Sequence, residues 1–485
     1  MEPDDRFYQP LLQPLINAEG STYKLIPKSG VVWAHLERVL SKEHLPLQKE
    51  LENGDPRLEH GNDTLLVTAN LGYFPRKPYR GFTSLPVLLV YQFLSALRAH
   101  SLFHKYGHVR MLIWVADNEK HIVLPKTVAM RRKSAIEAEI SCDNIFEVAS
   151  STVEANRVRR DHFLDRQSAI DVLARMEKLG IKTPEGRESV FSSAITTTGK
   201  VPDAGEVVEL SRDFYKELEC LETAFSSGQF AEYLDGDRSA ANQTRQYKRL
   251  KELRYRRDAE NRKGARGRGL TSEYDAIMTL QKEIFSQSTG DSLVQREELN
   301  QRVQNWKDDV QILASNDQEE FLHQLDNHRA YYLNPPLLLW DRRECDPLKV
   351  NKDEFHPKQE MCLLDFRPKP MWPILRENFP ANYDVFEYIV SSLLLMPTQS
   401  LRKGLTALWP GAFEWLIAEC PSLTDPNRGG NLDIDLITAR SLTQDMYKEI
   451  IEAWLRWPFR PTRFELMART GSGAYDPDDD SGEIK

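Results

Sequence analysis

Between Thr64 and Tyr73 the chain reads Thr-Leu-Leu-Val-Thr-Ala-Asn-Leu-Gly-Tyr, and no other stretch constrains its fold as much. Leu65, Leu66 and Val67 make a short apolar run that stops at Asn70. A run of that length bounded by turn residues predicts a strand buried on both faces. Asn70 then stands at the strand's carboxyl end, the edge of an open α/β sheet where ligands bind. Its side chain carries a carbonyl acceptor and an amide donor suited to a planar amine, and Tyr73 adds an aromatic face on which a base can stack. The plainer alternative is a strand leading into a turn, with Asn70 capping backbone and Tyr73 packing.

Upstream of this stretch the spacing alternates. Phe7, Leu11, Leu12, Leu15 and Ile16 recur at helical intervals, with Pro10 and Pro14 set to kink or shorten the helix. Tyr23 to Ile26 is strand-like, and Val31 to Leu40 is helical again. The pattern from Glu2 to Leu71 is that of a wound parallel sheet. In such sheets an acid at a strand end before a helix holds a ribose, and Glu2 is placed for that. Glu2-Pro3-Asp4 is equally an ordinary helix start, with acid near the positive end of the dipole. The glycine-rich loop that should precede the acid is not in the sequence, so the sheet is expected to begin at its second strand. The expectation is that ~60 to 100 further residues, carrying that loop and a transit peptide, lie ahead of Met1.

Composition narrows the class. A length of 485 residues with 40% apolar content supports two to four domains with a real core. A net charge of -9 excludes a uniformly basic nucleic-acid binder, so such binding has to come from local clusters. Five cysteines at 142, 220, 345, 362 and 420 form no C-x-x-C pair, which suggests neither a disulfide framework nor a metal site and fits a reducing compartment. No uninterrupted apolar run reaches the ~20 residues of a bilayer span, so no membrane partner is expected.

Past the asparagine, Arg76, Lys77 and Arg80 surround Tyr79, an interleaving of cation and aromatic that suits either a nucleic-acid strand or a solvated loop. Leu85 to Leu97 predicts a helix, Val109 to Val115 a strand, Lys126 to Ile140 a basic helix with Arg131, Arg132 and Lys133, and Ile145 to Val148 a strand. In the middle, Arg166 to Leu179 and Leu210 to Phe225 are helical in spacing, and Ser192 to Glu206 is a Ser/Thr/Gly/Pro-rich loop. From Arg245 to Arg268 eleven Lys or Arg stand against three acids. Lys248, Arg249, Arg254, Arg256, Arg257, Arg262 and Lys263 lie there, on a helix that should end in a flexible Gly264-Ala-Arg-Gly-Arg-Gly269 tail. Such a segment binds phosphates without regard to sequence, or is simply a solvated helix face. Tyr274 to Phe285 and Leu299 to His328 predict further polar helices. Leu363 to Phe366 is strand-like, and Tyr383 to Leu395, Ser400 to Leu408, Ala412 to Ile417 and Leu442 to Trp457 are helices in which Trp454 and Trp457 are core residues. The last residues form an acidic tail.

Together Glu2-Pro3-Asp4, Asn70-Leu71-Gly72-Tyr73 and the strand Arg110 to Val115 resemble the ribosomal RNA adenine dimethyltransferase family. Tyr106 to Val115, Pro184-Glu185-Gly186-Arg187 and Ala453-Trp-Leu-Arg-Trp-Pro-Phe-Arg-Pro461 resemble its fungal mitochondrial transcription factor B branch. The resemblance implies an α/β, Rossmann-like methyltransferase sheet with its first strand missing. Residues 1-151 would form that truncated domain, 152-359 a mainly helical basic insertion, 360-465 a remaining strand with a small C-terminal helical domain, and 466-485 an acidic tail. It also implies S-adenosylmethionine as cofactor, with Glu2 on its ribose and Asn70 and Leu71 beside it, and no metal. Asn70 would hydrogen-bond a target adenine on which Tyr73 stacks, the base having left its stack. Two functions follow from the resemblance. One is a mitochondrial transcription initiation factor that binds promoter DNA or RNA and assists the mitochondrial RNA polymerase, as a monomer in the matrix. The other is rRNA adenine N6,N6-dimethylation. A third, plainer possibility is a scaffold that keeps only the fold. Gly72 stands where the family motif has proline, which is expected to loosen the loop that places Tyr73.

Overall fold

A computed structural model describes residues 1–52, 54–74, 77–79, 81–151, 160–189, 192, 213–234, 239, 242–286 and 293–466. The middle Ser/Thr-rich loop, apart from Ser192, and the acidic tail lie outside them, as do Arg76 and Arg80. The chain is an α/β protein whose centre is a mixed five-stranded sheet. Its strands are β1 (Gly61–Asn70), β2 (His108–Ala116), β3 (Cys142–Ser151), β4 (Leu348–Val350) and β5 (Met361–Pro368), in the spatial order β1-β2-β5-β3-β4. β1 pairs parallel with β2, β3 pairs parallel with β4, and β5 runs antiparallel between β2 and β3. Four strands therefore share one direction and β5 alone opposes them.

Five helices precede or interleave the first strands: α1 (Asp5–Ile16), α2 (Trp33–Val39), α3 (Leu85–Arg98), α4 (Lys133–Ser141) and α5 (His162–Leu179). Next come α6 (Asp213–Ser226), α7 (Arg245–Ser286), α8 (Leu293–Gln311) and α9 (Ser315–Tyr332). After β5 follow α10 (Pro373–Arg376), α11 (Ala381–Leu394), α12 (Leu401–Leu408), α13 (Ala412–Glu419) and α14 (Gln444–Arg456). The helix α3 starts where the Ser84 hydroxyl accepts from the Val87 N–H, and Pro86 sits in the first turn, where no backbone donor is lost. Its Leu89, Phe93 and Leu94 pack with Val109, Met111, Ile113 and Val115, the alternate residues of β2 that face one side of the sheet. The 22-residue stretch Leu85–Tyr106 is long and apolar enough by composition to cross a bilayer, yet here it supplies core against the sheet.

Several elements differ from the sequence expectation for physical reasons. β1 is an edge strand: Leu65, Val67 and Ala69 pack on the core that α3 covers, while Leu66 is 49% exposed, so only one face is buried. Tyr23 to Ile26 forms no strand, because no neighbouring strand pairs with it; its tie to the N-terminus is a backbone bond from Glu2 N–H to the Ile26 carbonyl. Glu2 accordingly lies in the turn before α1 and not at a strand end. The basic helix expected from Lys126 begins only at Lys133, and Arg131 is fully buried. Its guanidinium holds the Glu139 carboxylate at 2.8 and 2.6 Å and donates to the carbonyls of Arg440 and Leu442, which ties the sheet to the C-terminal helices.

The largest difference is α7, one helix of 42 residues that continues through Gly264, Gly267 and Gly269. Each internal glycine disfavours a helix by about 1 kcal/mol relative to alanine. Anchors on both sides of the glycines offset this. Leu250 and Leu253 pack with Phe214 and Leu218 of α6, and Tyr274, Ile277 and Ile284 pack with Val303 and Trp306 of α8. In the C-terminal helices Trp454 is 0% and Trp457 5% exposed, so both are core residues.

Candidate functional site

The turn after β1 is set by backbone pairing that outlasts the strand. Asn70 pairs with Trp114, and the Leu71 N–H still donates to the Trp114 carbonyl at 2.8 Å. The Asn70 Oδ1 then accepts from the Gly72 N–H at 3.2 Å, closing an Asx turn. The Leu71 carbonyl accepts from the Phe74 N–H, and the Gly72 carbonyl from the Gln359 amide at 2.9 Å. A Cβ on Gly72 would stand 2.3 Å from Met361 Cε and 2.4 Å from its Sδ. A larger residue at 72 would therefore have to displace the end of the Met361 side chain, and the turn is pinned where the sequence suggested it would loosen.

Asn70 does cap backbone, as the plainer alternative held, and Tyr73 is 38% exposed at the sheet's carboxyl edge, with Asn70 exposed beside it. Lys77 is also exposed. Glu2 Oε1 accepts from the Asp4 N–H at 2.9 Å, the Leu71 side chain is 3% exposed, and both main-chain groups of Leu71 are bonded, whereas the Asn70 amide nitrogen is left for a ligand. Two cavities lie elsewhere, one under α3 beside Val115 and Glu119, the other between α7 and α8.

Immediately past β2, at the same carboxyl edge, lies a buried charge cluster that the sequence reading missed. The Lys120 ammonium bonds Asp117 Oδ1 at 2.8 Å, Glu147 Oε1 at 2.5 Å and the Ser150 hydroxyl at 2.8 Å. Asp117 also accepts from the Ser151 N–H, and Lys126 sits 3.9 Å from Glu147 Oε2 and 3.9 Å above the Trp340 ring. Burial alone would raise the Glu147 carboxyl, but Lys126 and Lys120 bring it down to about 2. Burial, helped by the same two lysines, lowers His121 to about 4. Asp117, Glu147 and Cys362 present ligand atoms within 4.8 Å of one another. The Lys120 ammonium already bridges both carboxylates, and burial holds the Cys362 thiol well above its ordinary value, so the trio is charge-compensated as it stands. The signal available in the sequence was Glu147 itself, a carboxylate inside the apolar run Ile145 to Val148.

The basic segment on α7 is largely paired. Arg249 bonds Glu217 of α6 and Glu252, Arg254 bonds Glu222 of α6, and Lys263 bonds Asp317 and Glu320 of α9. Arg256 lies near Glu260, and Arg257 near Asp258 and Glu222. Lys248 has a partner as well. Of the seven cations expected to bind phosphate, Arg262 stands exposed with no ion pair among the described residues. Compared with protein-family models, with curated proteins and with solved structures, the chain has no match in any of the three.

Proposed function

We propose that the chain is a nucleic-acid-binding factor built on a Rossmann-like, methyltransferase-type sheet. It works as a mitochondrial transcription initiation factor, holding promoter DNA or nascent RNA while it assists the mitochondrial RNA polymerase in the matrix. The observation that carries this reading is the pinned turn at the carboxyl edge of β1. There Tyr73 offers a partly exposed ring and Asn70 its amide nitrogen, a platform for one unpaired base that needs no cofactor. The resemblance to the transcription-factor branch supplies the biological setting. Exposed Lys77 would contact the adjoining phosphates.

The test is binding of the purified chain to a promoter fragment with an unpaired bubble, followed by run-off transcription with the cognate polymerase. Tyr73→Ala should weaken bubble binding about 5- to 150-fold, the loss of one base–aromatic stack, and leave fully paired DNA unaffected. A chain that neither binds the bubble nor stimulates initiation refutes the proposal. The second reading, dimethylation of rRNA adenines, is favoured by Asn70 and Tyr73 occurring together. Calorimetric titration with S-adenosylmethionine separates the two, since only the enzyme requires that ligand.

A further inference from the structure

Once the ion pairs of α7 are taken into account, Arg245, Lys251, Arg262, Arg266 and Arg268 remain without one among the described residues, and three of them share a face. Lys251, Arg262 and Arg266 are exposed, and no acid among the described residues pairs with any of them. The acids between Arg245 and Arg268 are each matched on their own helix: Glu252 by Arg249, Asp258 by Arg257 and Glu260 by Arg256. Lys251, Tyr255, Arg262, Arg266 and Gly269 are separated by four, seven, four and three positions, the spacing of a single helix face. In the middle of that face the Tyr255 side chain is 71% exposed. From Lys251 to Gly269 the face extends over about 27 Å at 1.5 Å per residue. At its Arg266 end it opens onto a groove of about 590 Å³ between α7 and α8, lined by Arg266, Gly269, Asn305 and Trp306 together with Asp309 and Glu273, the latter paired with Arg302. Gly267 and Gly269 have nothing within 4 Å of where a Cβ would stand, and Gly269 lines the groove.

An open tyrosine and glycines with empty space beside them are local rule violations on a helix, and the packing of α7 explains neither. We infer that this face is a second contact surface for single-stranded nucleic acid, separate from the β1 turn. Arg262 and Arg266, about 6 Å apart along the axis, meet neighbouring phosphates, Lys251 meets one further along the strand, Tyr255 stacks on a base, and the strand runs into the α7–α8 groove past Gly269. Cations hold a backbone of any sequence, whereas a stacked ring needs a base that is not already paired. The surface therefore selects single strands by form and not by sequence. This goes beyond the function proposed above, which rests on Tyr73.

The experiment is fluorescence anisotropy of the full chain with a labelled oligouridylate, and with the same strand in a duplex, across a salt series. Tyr255→Ala should weaken single-strand binding about 5- to 150-fold and leave the duplex unchanged, while Tyr255→Phe keeps wild-type affinity. The triple charge reversal Lys251→Glu, Arg262→Glu, Arg266→Glu should shrink the log–log salt slope by about 2, three phosphates at roughly 0.7 each. These side chains are exposed, so thermal melts of the variants should overlay the wild type. Wild-type single-strand affinity in Tyr255→Ala, or an unaltered slope in the triple variant, overturns this surface and leaves the Tyr73 platform standing. A wild-type chain that binds polyglutamate through these residues and no nucleic acid overturns both.

Discussion

Replacing Lys120 by methionine removes the one cation that bridges two buried carboxylates. The side chains of Lys120, Asp117 and Glu147 are 4%, 7% and 1% exposed, so water cannot take over when the ammonium goes. Breaking a buried pair by deleting one partner typically destabilises by about 3 to 5 kcal/mol, because the remaining charge is left uncompensated. A separate route gives a similar size. The Glu147 carboxyl falls from 4.5 to about 2 in the folded chain, which corresponds to about 3 kcal/mol of preferential stabilisation of its charged form. Lys126 supplies part of that from 3.9 Å and stays in the variant, so the expected loss is near the lower end of the range. Urea unfolding at neutral pH, followed by circular dichroism, measures it. Adding Glu147→Gln to Lys120→Met should recover part of the loss, since the stranded charge is removed as well. A loss under about 1 kcal/mol, or a double variant weaker than the single one, refutes the claim that this cluster is held by mutual compensation.

The same cluster shapes the acid limb of stability. With its folded value depressed, Glu147 contributes fully above 4.5, and that contribution is lost as pH falls toward about 2. His104 and His121 act in the same direction from a higher pH: burial lowers them from 6.5 to about 3 and about 4, so the unfolded chain binds protons first and stability declines below 6.5. Urea midpoints should therefore fall in two stages, and His121→Gln should flatten the first. Gly72→Ala should destabilise by about 1 to 3 kcal/mol through overpacking against Met361, and Met361→Ala should relieve part of that. Gly267→Ala and Gly269→Ala should each raise stability by up to about 1 kcal/mol, because both positions are helical with open space for a methyl group. A rise in the thermal midpoint is the readout.

What was legible in the sequence follows from how local each determinant is. The strands at Val109 to Val115, Ile145 to Val148 and Leu363 to Phe366 were marked by composition over a few residues, as were α3, α5 and the C-terminal helices. The order of the strands was not, because β5 enters the sheet between β2 and β3 only after the chain has run through α5 to α9. The three-residue β4 carries too little pattern to be read and exists through its pairing with β3. Asn70 was legible as a strand end, yet the role of Gly72 depended on Met361, far along the chain.

The basic segment shows the same limit in electrostatic form. A sum of charges over Arg245 to Arg268 counts cations, whereas a surface potential depends on which of them another element has already matched. The matching acids, Glu217, Glu222, Asp317 and Glu320, come from helices on either side of α7 in the chain, and no local window contains them. Pairing at the flanks and exposure at the centre are therefore parts of one arrangement. Arg249, Arg254 and Lys263 link α7 to α6 and α9 alongside the apolar anchors, and on this unbroken helix Lys251, Tyr255, Arg262 and Arg266 fall on one face. Weakening the flanking pairs should therefore loosen the presentation of the face without altering its composition, which a count of charges would never anticipate.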